Sequence, residues 1–346
     1  MKALVYGGPG EKSWTSEPDP VIADPRDAVI QVDAVTICGT DLHILKGDVP
    51  ETTAGRILGH EGVGTVVETG TAVAGVRVGD RVLISCISSC GRCAYCREGR
   101  YGQCRNGGGW ILGHLIDGTQ AEYVRVPFAD TSTYRLPDAV SDEAALLLAD
   151  ILPTAYEVGV LAGKVSPGKS VAVVGAGPIG LAAITTAKLF SPGQIIAIDK
   201  DPARLDAAKS FGADLVFAPG ESCVDEVLEA TDDLGVDVAV EAVGIPETFE
   251  LCTKLVRPGG HVANIGVHGR PAVLHLEYLW IKDVTITTGL VDTSSTRTLL
   301  TMTAAGRFPT GDFVTHRFGL EEMQDAYDVF ERAGETGALK VALFRR

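Results

Sequence analysis

Apolar and polar positions alternate in short bursts through residues 1–150, at Ala28–Ala34, Gly62–Glu68, Arg81–Ser85 and Ala121–Val126, each rich in valine and set off by glycine or proline. That pattern predicts the strands of a partly barrel-like β domain. Asp142–Leu161 then carries helical spacing interrupted by Pro153, and Val165-Ser166-Pro167-Gly168-Lys169 makes a turn. From Ser170 the text becomes strand, helix, strand. Val171–Val174 is a continuous apolar run, as a strand buried on both faces requires. Pro178–Phe190 and Asp201–Phe211 read as helices, and Gln194–Ile198, Leu215–Phe217, Val236–Val240 and His261–Ile265 as strands. This alternation predicts a parallel doubly wound α/β sheet. A helix over Leu320–Ala333 and a strand over Leu339–Phe344 close the chain.

Composition narrows the classes. The 346 residues suit two domains, and a 45% hydrophobic content excludes global disorder. Thirty basic against 45 acidic residues give a net charge of -15, which argues against nucleic acid or an anionic membrane as a partner. The apolar stretch Ala144–Leu152 contains Asp150 and is too short to span a bilayer. The N-terminal residues reach Gly8-Pro9-Gly10 without a signal-type core. The expectation is a soluble cytoplasmic protein.

Of the eight cysteines, Cys90, Cys93, Cys96 and Cys104 have the spacing C-x2-C-x2-C-x7-C. Clustering of this kind points to metal, and four thiolates suit a tetrahedral zinc with Zn–S near ~2.3 Å. An iron–sulfur cluster uses the same ligands. A closed set of four leaves no open position, so this site is expected to hold a loop. Cys86 falls outside the spacing and reads as a small buried residue.

Upstream, Cys38-Gly39-Thr40-Asp41-Leu42-His43 and Gly59-His60-Glu61-Gly62 offer two further ligands, Cys38 and His60. A catalytic zinc needs a third and an exchangeable position. No cysteine occurs between Cys104 and Cys223. Asp150, ending the run Ala144–Ala149, is the best candidate, because a carboxylate there is expensive unless paired or metal-bound; a helix cap or salt bridge is the alternative. Gly175-Ala176-Gly177-Pro178-Ile179-Gly180 follows a strand and opens a helix, and Asp199 stands nineteen residues after Gly180. Such a loop admits a pyrophosphate at the helix N-terminus, and Asp199 would accept the adenosine ribose hydroxyls and repel a 2′-phosphate, favouring NAD.

Together these residues resemble the zinc-dependent medium-chain alcohol dehydrogenases over almost the whole chain, with features of bacterial secondary-alcohol members. The resemblance implies a GroES-like β-rich catalytic domain at 1–152 and 291–346, with a Rossmann NAD-binding domain at 153–290 and the active-site zinc in the interdomain cleft. It implies two zinc ions per subunit, a catalytic one at Cys38, His60 and Asp150 and a structural one at the four clustered cysteines. Several secondary-alcohol members lack the structural lobe, so the chain mixes subgroup features. Glu61 matches a glutamate that approaches the metal, and Thr40 and His43 match a proton relay. Arg204 falls near the adenosine ribose, Lys340 where a basic residue reaches the pyrophosphate, and Trp110 at a pocket tryptophan. With Leu290 and its apolar neighbours, Trp110 favours secondary alcohols and ketones as small-molecule substrates; a core tryptophan is the plainer reading of Trp110.

The expected reaction is reversible oxidation of an alcohol to a ketone or aldehyde with hydride transfer to NAD, in a homotetramer or, second, a dimer. The rival within the class is a polyol, sugar or formaldehyde dehydrogenase. Outside it, a zinc-ribbon nucleic-acid binder leaves Cys38, His60 and Asp199 unexplained, and a zinc-free quinone reductase or a silent NAD sensor has no need of the open-site ligands.

Overall fold

The computed structural model describes residues 1–308, 310 and 312–346. It divides into two compact units, Met1–Pro153 with Val291–Arg346, and Thr154–Leu290.

The first unit is built on the strand Ala28–Thr36, which is buried along almost its whole length. Gly62–Thr69 and Tyr123–Val126 pair with it antiparallel. The last strand of the chain, Lys340–Phe344, also pairs with it antiparallel, Ala342 opposite Thr36. This pairing joins the two ends of the sequence into one sheet, continued by Val314–Gly319 on one side and by Arg81–Ile84 and Thr133–Arg135 on the other. Tyr327 and Phe330 of the amphipathic helix Met323–Glu331 enter the same core as Leu4, Ile30, Val32 and Ile84. The strands are therefore held by apolar contacts that only the returning C-terminal segment completes.

Helix was expected through Asp142–Leu161 with a break at Pro153. The break comes earlier. One helix covers Asp142–Leu146, capped by the Ser141 hydroxyl, and the next begins at Ile151. Pro153 lies in that second helix's first turn, where its missing N–H has no intrahelical partner to lose. Ala155–Leu161 then widens into a π-helix. Asp150 thus sits in the turn between helices and not on a helix face.

The second unit carries six parallel strands in the order Leu215–Phe217, Gln194–Ile198, Ser170–Val174, Val236–Glu241, Val256–Asn264, Thr285–Thr288. Numbered along the chain this is 3-2-1-4-5-6, the doubly wound dinucleotide-binding order. The first strand is central and buried at every position from Val171 to Val174. That accounts for its unbroken apolar run. No helix among the described residues is long and apolar enough to cross a membrane.

Candidate functional site

Cys90, Cys93, Cys96 and Cys104 bring their sulfurs within 4.8 Å of one another. A short helix, Ala94–Arg97, follows directly on Cys93, and the Cys90 amide donates to Cys104 Sγ at 3.3 Å. The amides of Arg105 and Cys96 draw the Cys93 thiol down to about 6. Burial and the neighbouring sulfurs of Cys93 and Cys104 push Cys96 up to about 12. Several thiolates packed this closely repel one another, and a divalent cation relieves the repulsion; the four residues fit a structural zinc.

The second group is assembled from three parts of the first unit. Cys38 is the N-cap of the helix Gly39–Lys46, and its own amide is held by Asp41 Oδ2 at 2.9 Å in a capping box. His60 and Glu61 directly precede the strand Gly62–Thr69, and Asp150 comes from the interhelical turn. Donor atoms of Cys38, His60, Glu61 and Asp150 lie within 4.8 Å of one another. Asp150 Oδ2 stands 3.6 Å from Cys38 Sγ and 3.5 Å from His60 Nε2. The other ring nitrogen, His60 Nδ1, faces Asp41 Oδ1 at 3.7 Å. Burial works against a charge on His60, yet the Asp150 carboxylate and Cys38 raise its basicity well above the ordinary imidazole range. Burial, then the Glu61 carboxylate, push the Cys38 thiol up. His60 Nδ1, Asp41 Oδ1 and Glu61 Oε1 are buried without a hydrogen-bond partner among the described residues. A thiol, an imidazole nitrogen and a carboxylate converging in a buried place fit a zinc with an exchangeable position, with Asp41 behind the histidine.

Thr40 and His43 lie three residues apart on the helix Gly39–Lys46 and so share a face. Thr40 Oγ1 is 3.7 Å from Cys38 Sγ, and His43 Nδ1 meets Asp48 Oδ2 at 2.8 Å. Trp110 packs edge-on to His60 at a ring separation of 6.1 Å and stacks on His114 at 4.1 Å. Leu290, the other residue assigned to the pocket, belongs to the second unit and is exposed.

Lys340 was expected where a basic residue reaches the pyrophosphate. It is a buried residue whose Nζ lies 2.5 Å from Glu61 Oε2 and 3.3 Å from the Ile37 carbonyl. Thr36 Oγ1 donates to the same Glu61 oxygen. Burial opposes the ammonium charge, but Glu61 and Cys38 outweigh it and hold Lys340 above the ordinary lysine range. Lys340 opens a strand of the sheet that also carries Gly62–Thr69, the strand directly after Glu61, and this brings the two side chains together.

In the second unit, Gly175 adopts φ +102°, and a methyl group there would meet Val243 Cγ2 at 2.5 Å. A methyl on Gly180 would lie 1.8 Å from the Gly175 carbonyl oxygen. Gly177 is different: the space over it is bounded only by Arg204 Nη1 at 3.8 Å. The loop is thus closed on its inner side and open above Gly177, beside a guanidinium, with Pro178 and Ile179 starting the helix Pro178–Ala187. Asp199 accepts from the Ala176 amide at 2.7 Å and the Asp201 amide at 2.9 Å, which fixes its carboxylate beside the loop. Sequence reading gave Asp41 and Asp48 no role and read Cys86 as a small buried residue, which it is. The Cys38-x-x-Asp41 capping-box spacing was the one local signal that could have found Asp41.

A zinc-type constellation in one unit and a dinucleotide loop in the other define a zinc-binding dehydrogenase with a GroES-like and a Rossmann part. Comparison with known proteins agrees. Residues 24–138 match the alcohol dehydrogenase GroES-like domain and residues 178–305 the zinc-binding dehydrogenase domain. The chain is 37% identical to an alcohol dehydrogenase of Cupriavidus necator, covering 99% of this chain and 98% of that one. It is 48% identical to the solved zinc dependent alcohol dehydrogenase 2 from Streptococcus pneumonia in its apo form, with a TM-score of 0.96 over 100% of this chain and 98% of that one. Alcohol dehydrogenase TADH from Thermus sp. ATN1 is 37% identical, with a TM-score of 0.92 and full coverage of both chains (100% each). The chain belongs to the medium-chain zinc alcohol dehydrogenase family.

Proposed function

We propose that the protein is a zinc-dependent alcohol dehydrogenase that reversibly oxidises secondary alcohols to ketones with NAD as hydride acceptor. The observation that carries this reading is the convergence of Cys38, His60 and Asp150 beside the Thr40–His43 face. Cys38 Sγ, His60 Nε2 and Asp150 Oδ2 are proposed to hold the catalytic zinc, and the four clustered cysteines the structural one. Bound zinc supplies Lewis-acid polarisation of the substrate oxygen, and bound NAD accepts the hydride. The chain's own residues do the rest. The Asp41 carboxylate, facing His60 Nδ1 at 3.7 Å, favours a proton on that nitrogen and leaves Nε2 for the metal. Thr40 Oγ1 accepts the alcohol proton as its own hydroxyl proton passes on toward His43. With Nδ1–H directed to Asp48, His43 has Nε2 free to pass that proton toward solvent, to which its side chain is 28% exposed. Hydride and proton together account for the two hydrogens the alcohol loses. Trp110, with buried Ile111 and Leu112, gives the metal group an apolar neighbour, which supports secondary alcohols over polyols, sugars or formaldehyde. A panel of small primary alcohols, secondary alcohols, polyols and formaldehyde, followed at the NADH band, is expected to rank secondary alcohols first. A polyol ranked first would replace the substrate assignment.

Residues 1–152 and 291–346 are proposed as the catalytic domain and 153–290 as the NAD-binding domain; the two compact units, which divide after Pro153, support this reading. Asp199 is proposed to receive the adenosine ribose, with Arg204 beside the loop. A 2′-phosphate against this carboxylate is repelled, so NAD is expected to be preferred over NADP by more than about tenfold in kcat/KM, or about 1.4 kcal/mol. Asp199→Asn keeps an oxygen for the Ala176 amide and removes the charge, so the ratio should narrow. An unchanged ratio in Asp199→Asn would remove this role.

A homotetramer, with a dimer second, is also proposed. Its support is the edge strand Thr285–Thr288 together with the exposed side chains of Leu276, Trp280 and Ile281 that precede it. Eight cysteines with no disulfide among the described residues, six of them in or beside metal-type groups, support a reducing cytoplasmic setting.

A further inference from the structure

We propose that Cys86 is a positioning residue for the open metal site: its thiol occupies Oδ1 of Asp150, so that the carboxylate presents Oδ2 alone to the metal. This rests on the reading of Asp150 as a zinc ligand and goes beyond it, because Cys86 is neither a member of the four-cysteine cluster nor one of the converging donors.

Cys86 is buried and lies just past the strand Arg81–Ile84. It grips the Asp150 turn at two points. Its amide donates to the Ala149 carbonyl at 3.1 Å, and its Sγ donates to Asp150 Oδ1 at 3.7 Å. The two oxygens of Asp150 therefore have different surroundings. Oδ1 faces the Cys86 thiol, while Oδ2 faces Cys38 Sγ at 3.6 Å and His60 Nε2 at 3.5 Å. A thiol is a weak donor, but its bond to an ionised carboxylate is charge-assisted.

The difference has a chemical consequence. A three-ligand zinc leaves one position for the substrate oxygen. A carboxylate free to swing can bind through both oxygens, and the second oxygen then takes the position the substrate needs. A donor fixed on Oδ1 opposes that swing. It does so from outside the coordination sphere, in the way outer-shell partners orient metal-bound carboxylates, where their loss changes metal affinity by about ten- to a hundredfold. Cysteine suits the place because it is small, buries readily and donates one hydrogen.

The test replaces the open-site zinc with Co(II), leaves the four-cysteine site as zinc, and compares wild type, Cys86→Ala, Cys86→Ser and Asp150→Asn. In Cys86→Ala the Co(II) d–d bands are expected to weaken, as coordination rises from four to five, with metal loss to a chelator changed about tenfold. The thiolate-to-metal charge-transfer band from Cys38 should persist. Cys86→Ser keeps an O–H donor and should restore most of the wild-type spectrum. Thermal midpoints for all variants separate these effects from general loosening. A wild-type d–d spectrum and chelator rate in Cys86→Ala overturn the proposal, as does loss of charge-transfer intensity, which would make Cys86 itself a ligand. Asp150→Asn separates the two levels. If it alone alters the spectrum, Asp150 stands as a ligand and only the role of Cys86 fails; if it too is unchanged, the ligand reading fails.

Discussion

His60→Ala is expected to lower zinc from about two ions per chain to about one and to abolish alcohol-dependent NADH formation while the fold persists. His60 supplies the one ligand nitrogen of the open group, and its removal leaves Cys38 and Asp150 of the three proposed ligands, with the nearby Glu61 already held by Lys340. A Lewis acid worth several kcal/mol is lost with it, so turnover should drop by about a thousandfold or more. The apolar core of the first unit lies on the sheet strands and does not include His60, so the thermal midpoint should change little beyond the loss of bound metal. Cys96→Ser is the contrasting case. It also removes one zinc, but from the closed cluster, where the metal fastens the loop Cys90–Cys104. Stability should fall, and the fraction that stays folded should retain turnover. Full activity in His60→Ala, or one zinc in the wild type, would contradict the two-site account.

Lys340→Met is expected to destabilise the first unit by about 3–5 kcal/mol, because it strands a buried carboxylate. Lys340 and Glu61 are 1% and 0% exposed, and the Glu61 oxygen that takes the ammonium also receives Thr36. Without the lysine, Glu61 must either stay charged without its cation or take up a proton, and both are costly. The double variant Lys340→Met with Glu61→Gln should recover much of the loss, since neither partner is then a lone buried charge. KM for NAD separates this from the phosphate role first expected of Lys340. A stable Lys340→Met variant with a severalfold higher KM for NAD would return Lys340 to the cofactor; denaturant midpoints and NAD titrations decide it.

How far these features were legible in the chain follows from their range. The Rossmann part declared itself because parallel strands buried on both faces are unbroken apolar runs, and because Gly175, Gly177 and Gly180 act within one turn. The four-cysteine cluster is equally local. The Lys340–Glu61 pair spans 279 residues and the Cys86–Asp150 contact 64, so only the folded sheet and the interhelical turn bring these groups together. The strand-rich character of residues 1–150 was readable, but the hairpin Lys2–Gly8 with Glu11–Ser16 was not, since Gly8-Pro9-Gly10 and a polar second strand read as a break. The helix Asp142–Leu161 failed at Pro153 for a related reason. Proline is tolerated in the first turn of a helix as well as found where one stops, and here it lies in the first turn of a helix that begins at Ile151, with Asp150 in the turn before it.

The most direct test is a zinc titration of chelator-treated enzyme, with bound metal and NADH formation from a secondary alcohol followed together. Activity is expected to be absent until the open site fills and to rise in step with it, reaching a plateau at about two zinc ions per chain. Alcohol-dependent NADH formation at full rate with the open site empty would contradict the assignment of this chemistry to Cys38, His60 and Asp150.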